Sequence, residues 1–370
     1  MKIVWIGNKF SDIQYCNDCF FYSINLYGPN TDNAFSFPNR RLSNNLKIVE
    51  ADKYINYKAH QILSEYPNIQ FMFYNPTRVF SLDAEIEKHT VCLNNRLLLK
   101  MLNNKSTCHD LFSDILNFAP YVNLLGKDIS LENLSTIFDN DTFIIQKPSS
   151  AGGLGTYILS LEKNHIPCYL ELNNRYLISS YVHNNISFNV HLLIQYDNFI
   201  MFPPSKQILS ISNEGTFVFR GSDFINTNDI NHAELKKIVL KIVNRLKKYN
   251  YLGVIGLDFI QDEKGKIYFV EFNCRFQAST FLLNMALHNY NLPSLQELNY
   301  QAFSSKNFEL NKEFKVNFAS TIFYEGADDE IIVPNTELYS IEKDSLQAYK
   351  KIDKFAYLYK KIFIKPSSHN

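Results

Sequence analysis

The stretch Tyr251–Thr280, YLGVIGLDFIQDEKGKIYFVEFNCRFQAST, constrains the fold more tightly than any other part of the chain. Val254, Gly256, Asp258 and Ile260 alternate with Ile255, Leu257 and Phe259, the period-two pattern of a strand. Asp262 to Gly265 supplies turn residues, and Ile267 to Phe272 predicts the returning strand. Glu271, Asn273 and Arg275 recur at every second position, so they share one face that a paired Asp258 can join. Two carboxylates and an amide oxygen on one face form an oxygen-only site. Mg2+ takes such a site when it shares its coordination with nucleotide phosphates. The competing reading is a solvated hairpin with ordinary surface charges. The apolar residues flanking each acidic position count against it, because they call for a partly buried sheet.

Composition narrows the class. A chain of 370 residues can bury two or three lobes, and 37 Lys plus Arg balance 37 Asp plus Glu. A net charge of zero gives no bulk attraction to nucleic acid or to an anionic membrane, so neither is expected as a partner. No apolar run is long enough to span a bilayer and the N-terminus does not read as a leader, which predicts a cytoplasmic protein. Cys16-x-x-Cys19 invites a zinc or redox reading. No second pair and no His at ligand spacing accompanies it, so the six scattered cysteines are expected to be free thiols.

Met1 to Gly7 reads as a first buried strand. Phe20 to Leu26, Leu46 to Ala51 and Ile69 to Tyr74 predict further strands, with a helix over Tyr54 to Tyr66 and an irregular loop over Pro29 to Asn44. Asn94 to Asn104 predicts a helix opened and closed by Asn, with Leu97, Leu98, Met101 and Leu102 inward and Arg96 and Lys100 on another face. Thr142 to Ser160, TFIIQKPSSAGGLGTYILS, delivers Lys147 from an apolar strand into a loop, Pro148 to Gly155, followed by a second strand, Tyr157 to Leu159. Glycines let backbone N–H groups face phosphate oxygens, and Ser149 and Ser150 add donors. The strand–loop–strand context excludes the Walker loop and the dinucleotide fingerprint, which both lead into a helix. Arg175 to Leu193 predicts two strands around a polar break. His232 to Tyr249 is an amphipathic helix, with Leu235, Ile238, Val239, Ile242, Val243 and Leu246 as its apolar stripe. Phe281 to Tyr290 and Leu295 to Phe303 predict covering helices, and Phe314 to Tyr324 a strand.

Over about residues 90–305 this order resembles the ATP-grasp superfamily, on G-x-D-F, the hairpin and E-x-N-x-R. The ending N-C-R-F-Q-A-S-T is similar to the carboxylate–amine branch containing amino-acid and peptide ligases. The resemblance implies an α/β (α+β) fold with ATP held between two sheet lobes. The corresponding divisions are an N-terminal lobe at 1–90, a small lobe at 91–182, a large lobe at 183–310 and an extension at 311–370. It implies that Arg96 approaches a phosphate, with Arg in place of the usual Lys. It also implies that Lys147, Ser149, Ser150, Gly152, Gly153 and Gly155 hold phosphates, and that Tyr181 and Val182 meet adenine. Ser179 stands where many members carry Glu, and Asn185, Ser187 and Asn189 occupy the region that meets the ribose.

The implied cofactors are ATP and Mg2+, with Mn2+ admissible, held by Asp258, Glu271 and Asn273. Arg275 is the residue that stabilises the transferring phosphoryl group, with Lys147 beside it. Arg220, in FVFRGSD, is a candidate substrate-carboxylate ligand or a surface arginine. The implied reaction joins a small-molecule carboxylate, an amino acid or small peptide, to an amine through an acyl phosphate, releasing ADP and phosphate. A carrier protein or a peptide as acceptor, bicarbonate carboxylation, a homodimer, and a nucleotide-binding regulator without turnover all stay open. A purely structural module leaves the phosphate loop without a purpose.

Overall fold

The computed structural model describes residues 2–8, 10–16, 20–26, 32–37, 44–148, 155–161, 170–211, 217–311, 313–323 and 338–342. Its first sheet is parallel, ordered β3-β2-β1-β4, from β1 (Ile3–Gly7), β2 (Phe20–Asn25), β3 (Ala34–Ser36) and β4 (Gln70–Phe73). Every residue of β1 is buried, as expected for a parallel strand covered on both faces. Helix α1 (Asn44–Glu65) covers one face with Ile55, Ala59 and Ile62, packed with Val4, Ile6, Phe71 and Phe73. The strand expected over Leu46 to Ala51 is the start of this helix. Ile48 and Val49 are exposed, while Ala51 begins the helical spacing that continues to Ile62. Part of the loop expected over Pro29 to Asn44 lies outside the described residues, and Ala34–Ser36 within it is β3.

Helices α2 (Ala84–Lys88), α3 (Arg96–Leu102) and α4 (Lys105–Phe112) connect to the next lobe. The one helix expected over Asn94 to Asn104 is thus shorter, and a second follows it. Asn95 caps α3 by accepting from the Leu97 and Leu98 amides, and Asn104 opens α4 by accepting from Thr107. Leu98, Leu99 and Leu102 face inward, whereas Leu97 is exposed, a rotation of the expected face by one position.

The second sheet is antiparallel, ordered β5-β8-β6-β7, from β5 (Tyr121–Leu125), β6 (Thr142–Gln146), β7 (Thr156–Ser160) and β8 (Arg175–Ser180), with α5 (Leu131–Ile137) against it. The third and largest sheet runs β14-β13-β9-β11-β12-β15-β16, with β10 (Phe199–Met201) also on β9 (Ile186–Ile194). The remaining strands are β11 (Ser205–Ile211), β12 (Phe217–Asp223), β13 (Gly253–Gln261), β14 (Ile267–Asn273), β15 (Ala319–Phe323) and β16 (Leu338–Glu342). The strand expected from Phe314 is therefore confined to β15, and the region from 311 adds two strands to this sheet.

Helix α6 (His232–Lys248) buries its whole predicted stripe against one face, onto Phe188, Val190, Leu192, Ile255, Leu257 and Phe259. On the opposite face, α7 (Thr280–Asn289) and α8 (Leu295–Phe303) cover Leu193 and Val254. Further along that second face, β9 and β13 turn from apolar to polar, with His191, Asn189, Gly256 and Asp258. The fold thus closes one end of this face with helices and leaves polar groups at the other. Among the described residues no helix is long and apolar enough to cross a membrane.

Candidate functional site

The polar end of that face is built on the β13–β14 hairpin. Antiparallel register sets Asp258 opposite Glu271 and Gly256 opposite Asn273, with a bulge between Asp258 and Phe259. Asn273 Nδ2 donates to Asp258 Oδ2 at 3.0 Å, and Asn273 Oδ1 accepts from Arg275 Nη2 at 2.7 Å. The four residues that the sequence placed on one face therefore come together. Gln277 joins them, donating from Nε2 to Asp258 Oδ1 at 3.0 Å. Gly256 makes this possible, because a Cβ there would stand 2.2 Å from Gln277 Cδ. Burial, and then the neighbouring Glu271 carboxylate, push the Asp258 carboxyl up to about 7. Phe276 anchors the segment to the first sheet: its amide donates to Tyr74 O at 3.1 Å and its ring lies 5.4 Å from Trp5.

Glu271 also holds Lys105, whose ammonium lies 2.6 Å from Glu271 Oε2 with the lysine side chain only 4% exposed. The Lys105 amide donates to Pro148 O at 2.9 Å, and Asn103 Oδ1 accepts from the Cys274 amide at 3.5 Å. The short link between α3 and α4 therefore ties the start of the Gly-rich loop to the acidic hairpin. Sequence reasoning missed Lys105. The signal that could have found it is Asn104, a helix-capping residue immediately before a lysine. Arg96 lies elsewhere: its guanidinium stacks 4.5 Å over Phe80 and donates to Phe80 O at 3.0 Å, away from the hairpin.

Lys147 leaves β6 and its amide donates to Gly155 O at 3.0 Å, closing the neck of the loop. Gly155 adopts φ +73°, a left-handed conformation that suits glycine. Ser149, Ser150, Gly152 and Gly153 lie outside the described residues. The Lys147 ammonium is 3.0 Å from Glu171 Oε1, a contact that raises its pKa.

At the hinge, the Tyr181 amide donates to Thr142 O and Tyr181 O accepts from Asn140 Nδ2, so both of its backbone groups serve the second sheet. Val182 O accepts from Asn185 Nδ2 at 2.6 Å. Ser187 donates to Gln207 Oε1 and Asn189 Oδ1 accepts from Ser205, both at 2.6 Å, in the large sheet. Arg220 lies on β12, and its side chain is outside what is described. Of the cysteines, Cys92, Cys108 and Cys274 are free thiols, while Cys19 and Cys168 lie outside the described residues.

The donor set suits Mg2+ rather than a softer metal, since it offers two carboxylates and an amide oxygen. No group of three or more His, Cys, Asp or Glu that could hold a metal occurs among the described residues. Such a pair leaves most of the coordination to phosphate and water, the usual habit of Mg2+. The Lys105 ammonium balances the Glu271 carboxylate, and burial, with the Glu271 charge beside it, disfavours the ionised form of Asp258.

A family model described as an ATP-grasp domain matches residues 103–279. Among solved structures, the chain resembles the biotin carboxylase domain of 2-oxoglutarate carboxylase from Hydrogenobacter thermophilus, solved with MgADP, ADP and bicarbonate. The TM-score is 0.64 at 14% identity, covering 86% of this chain and 73% of that one. It also resembles N5-carboxyaminoimidazole synthetase from Staphylococcus aureus in complex with ADP, with TM-score 0.60, 12% identity and 96% of each chain covered. A third is biotin carboxylase from Campylobacter jejuni, with TM-score 0.58, 13% identity, and 86% and 74% covered. No curated protein matches the sequence. At such identities the structural likeness establishes the fold alone.

Proposed function

We propose that the protein, whose residues 103–279 match an ATP-grasp domain model, is an ATP-dependent carboxylate–amine ligase that works through an acyl phosphate. The observation that carries this reading is the convergence of Asp258, Glu271, Asn273 and Arg275 with the buried Lys105, which is itself tied to the strand end that delivers Lys147. Two lysines and one arginine then surround the place where the β- and γ-phosphates and the substrate carboxylate meet. Asp258, Glu271 and Asn273 Oδ1 are the residues that would hold Mg2+, which when bound draws charge from the phosphates. Lys147 and the Gly-loop amides hold the phosphate oxygens, and Lys105 moves from Glu271 towards them. Arg275 stabilises charge on the transferring phosphoryl group and holds the acid in line for attack on it. The amine then displaces phosphate from the acyl phosphate to form an amide. This route calls for no nucleophilic side chain. Val182, whose amide has no backbone acceptor in the second sheet among the described residues, is the better placed of the two hinge residues to meet adenine.

A second reading is bicarbonate carboxylation, favoured by the bicarbonate complex named among the similar structures. One experiment separates the two. Purified protein, ATP, Mg2+ and pooled acids are incubated with hydroxylamine, and hydroxamate, ADP and AMP are measured. The ligase reading expects hydroxamate and stoichiometric ADP. Stoichiometric AMP would refute the γ-phosphate route, and ADP release dependent on bicarbonate alone would move the assignment to carboxylation.

A further inference from the structure

The buried face of α4 carries Lys105, Cys108, His109 and Phe112 at helical spacing, so a lysine occupies a position where the pattern calls for an apolar residue. Phe112 packs on Phe272 of β14, with ring centroids 4.8 Å apart, and Lys105 reaches the neighbouring Glu271. The backbone there is pinned. Asn104 caps the helix, the Lys105 amide donates to Pro148 O at 2.9 Å, and Ser106 Oγ donates to Asn123 Oδ1 at 2.6 Å. The long, flexible lysine side chain is the part that can swing.

Each of the three residues that the reading above assigns to the metal is already held by the chain itself. Glu271 Oε2 lies 2.6 Å from the Lys105 ammonium, and Asn273 Oδ1 accepts from Arg275 Nη2 at 2.7 Å. Asp258 accepts from Asn273 and from Gln277, both at 3.0 Å. Lys105 and Arg275 also match Asp258 and Glu271 in number, so together they present no surplus negative charge to a divalent ion. An ion arriving alone meets two cations, one of them a lysine side chain only 4% exposed and so weakly screened by water. Nucleotide phosphates reverse this balance. They add negative charge at the loop that starts from Pro148, to which the Lys105 backbone is tied. An ammonium drawn to them leaves Glu271 to the metal.

We propose that Lys105 is a built-in counter-cation that holds Glu271 while nucleotide is absent and moves to the phosphates when they arrive, making metal affinity conditional on nucleotide. This rests on the metal and phosphate assignments above, and not on which acid or amine is joined. Linkage is symmetric, so metal at Glu271 frees Lys105 for phosphate and tightens nucleotide binding by the same factor.

The test follows Mn2+ binding by electron paramagnetic resonance, with and without ADP, after correction for MnADP in solution. The parent should bind Mn2+ at least about tenfold more tightly with ADP than without it. Without nucleotide, Lys105→Met should bind Mn2+ at least about tenfold more tightly than the parent, because the stranded Glu271 carboxylate takes the ion instead. Lys105→Arg keeps a cation there and should stay near the parent, and Lys105→Met combined with Glu271→Gln should lose the gain. Mn2+ alone should raise the melting temperature of Lys105→Met and not that of the parent. If Lys105→Met needs Mn2+ to fold, that requirement itself sustains the proposal; if it folds under neither condition, Lys105→Gln carries the same comparison. Unchanged or weaker Mn2+ binding by the nucleotide-free variant, or equal affinity of the parent with and without ADP, overturns the proposal and leaves the metal site standing. Absence of Mn2+ binding in every form, ADP included, sinks the metal assignment as well.

Discussion

Lys105→Met is the substitution whose effect the structure specifies most closely. The ammonium lies 2.6 Å from Glu271 Oε2, so at an effective dielectric near 20 the gross attraction is about 6 kcal/mol. Much of this is offset by the cost of taking both charges out of water, and the measurable quantity is what happens when one partner is left behind. Stranding a buried charge costs about 3–5 kcal/mol. The Glu271 side chain keeps 17% of its surface exposed, and water can reach the abandoned carboxylate, so the low end of about 3 kcal/mol is expected. Urea unfolding of the parent, Lys105→Met, Glu271→Gln and the double variant completes a cycle. The double variant strands no charge, so it should be more stable than Lys105→Met, with a coupling energy of about 2 kcal/mol. ADP release should fall in Lys105→Met as well, because the same ammonium is proposed to hold phosphate. Additive single effects, with a coupling below about 0.5 kcal/mol, would refute the pairing as an energetic unit.

Glu271→Gln should lower ADP release at least about a hundredfold while far-UV circular dichroism stays unchanged, and Asp258→Asn should lower it less. Near-normal turnover of Glu271→Gln would remove the hairpin from the site. Gly256→Ala drives a Cβ to within 2.2–2.7 Å of Gln277 Cδ, Nε2 and Cγ, so it should cost about 1–3 kcal/mol in urea unfolding and reduce turnover by freeing Asp258. Adding Gln277→Ala should restore stability but not turnover. His191 has its pKa lowered from 6.5 to about 3 by burial, so the unfolded chain binds its proton first as pH falls. The stability that this histidine contributes is complete above pH 6.5 and is lost as pH falls towards 3. His191→Gln should therefore show a shallower loss over that window in urea titrations, and an unchanged slope would count against a neutral buried imidazole.

The hairpin was legible in the sequence because period-two alternation fixes which side chains share a face, and a tight polar turn fixes which residues pair. Asp258, Glu271, Asn273 and Arg275 met as read for that reason. The α6 stripe was legible for the same kind of reason, since six apolar residues at helical spacing have only one side to bury. Local pattern was insufficient where two readings share it. Leu46 to Ala51 looks like a strand in isolation, and only the helix that continues through Ile55, Ala59 and Ile62, packed onto the first sheet, makes it the start of a helix. Asn104 can end one helix or begin another, and choosing the first reading hid α4.

Tertiary structure alone decided the basic partners of the site. Arg96 and Lys105 are both cations near the ends of short helices, and nothing in the local sequence says which one reaches Glu271, 166 positions beyond Lys105. Chain packing settled it by burying Lys105 where a carboxylate could receive it and by leaving Arg96 over Phe80. The row of Asp258, Asn189 and Ser205 was equally hidden, because it is assembled from three strands whose sideways order the sequence does not encode. A strand pattern determines which way each side chain faces. Which strands lie side by side depends on long-range pairing, and that pairing brought Asn189 and Ser205 into line with Asp258.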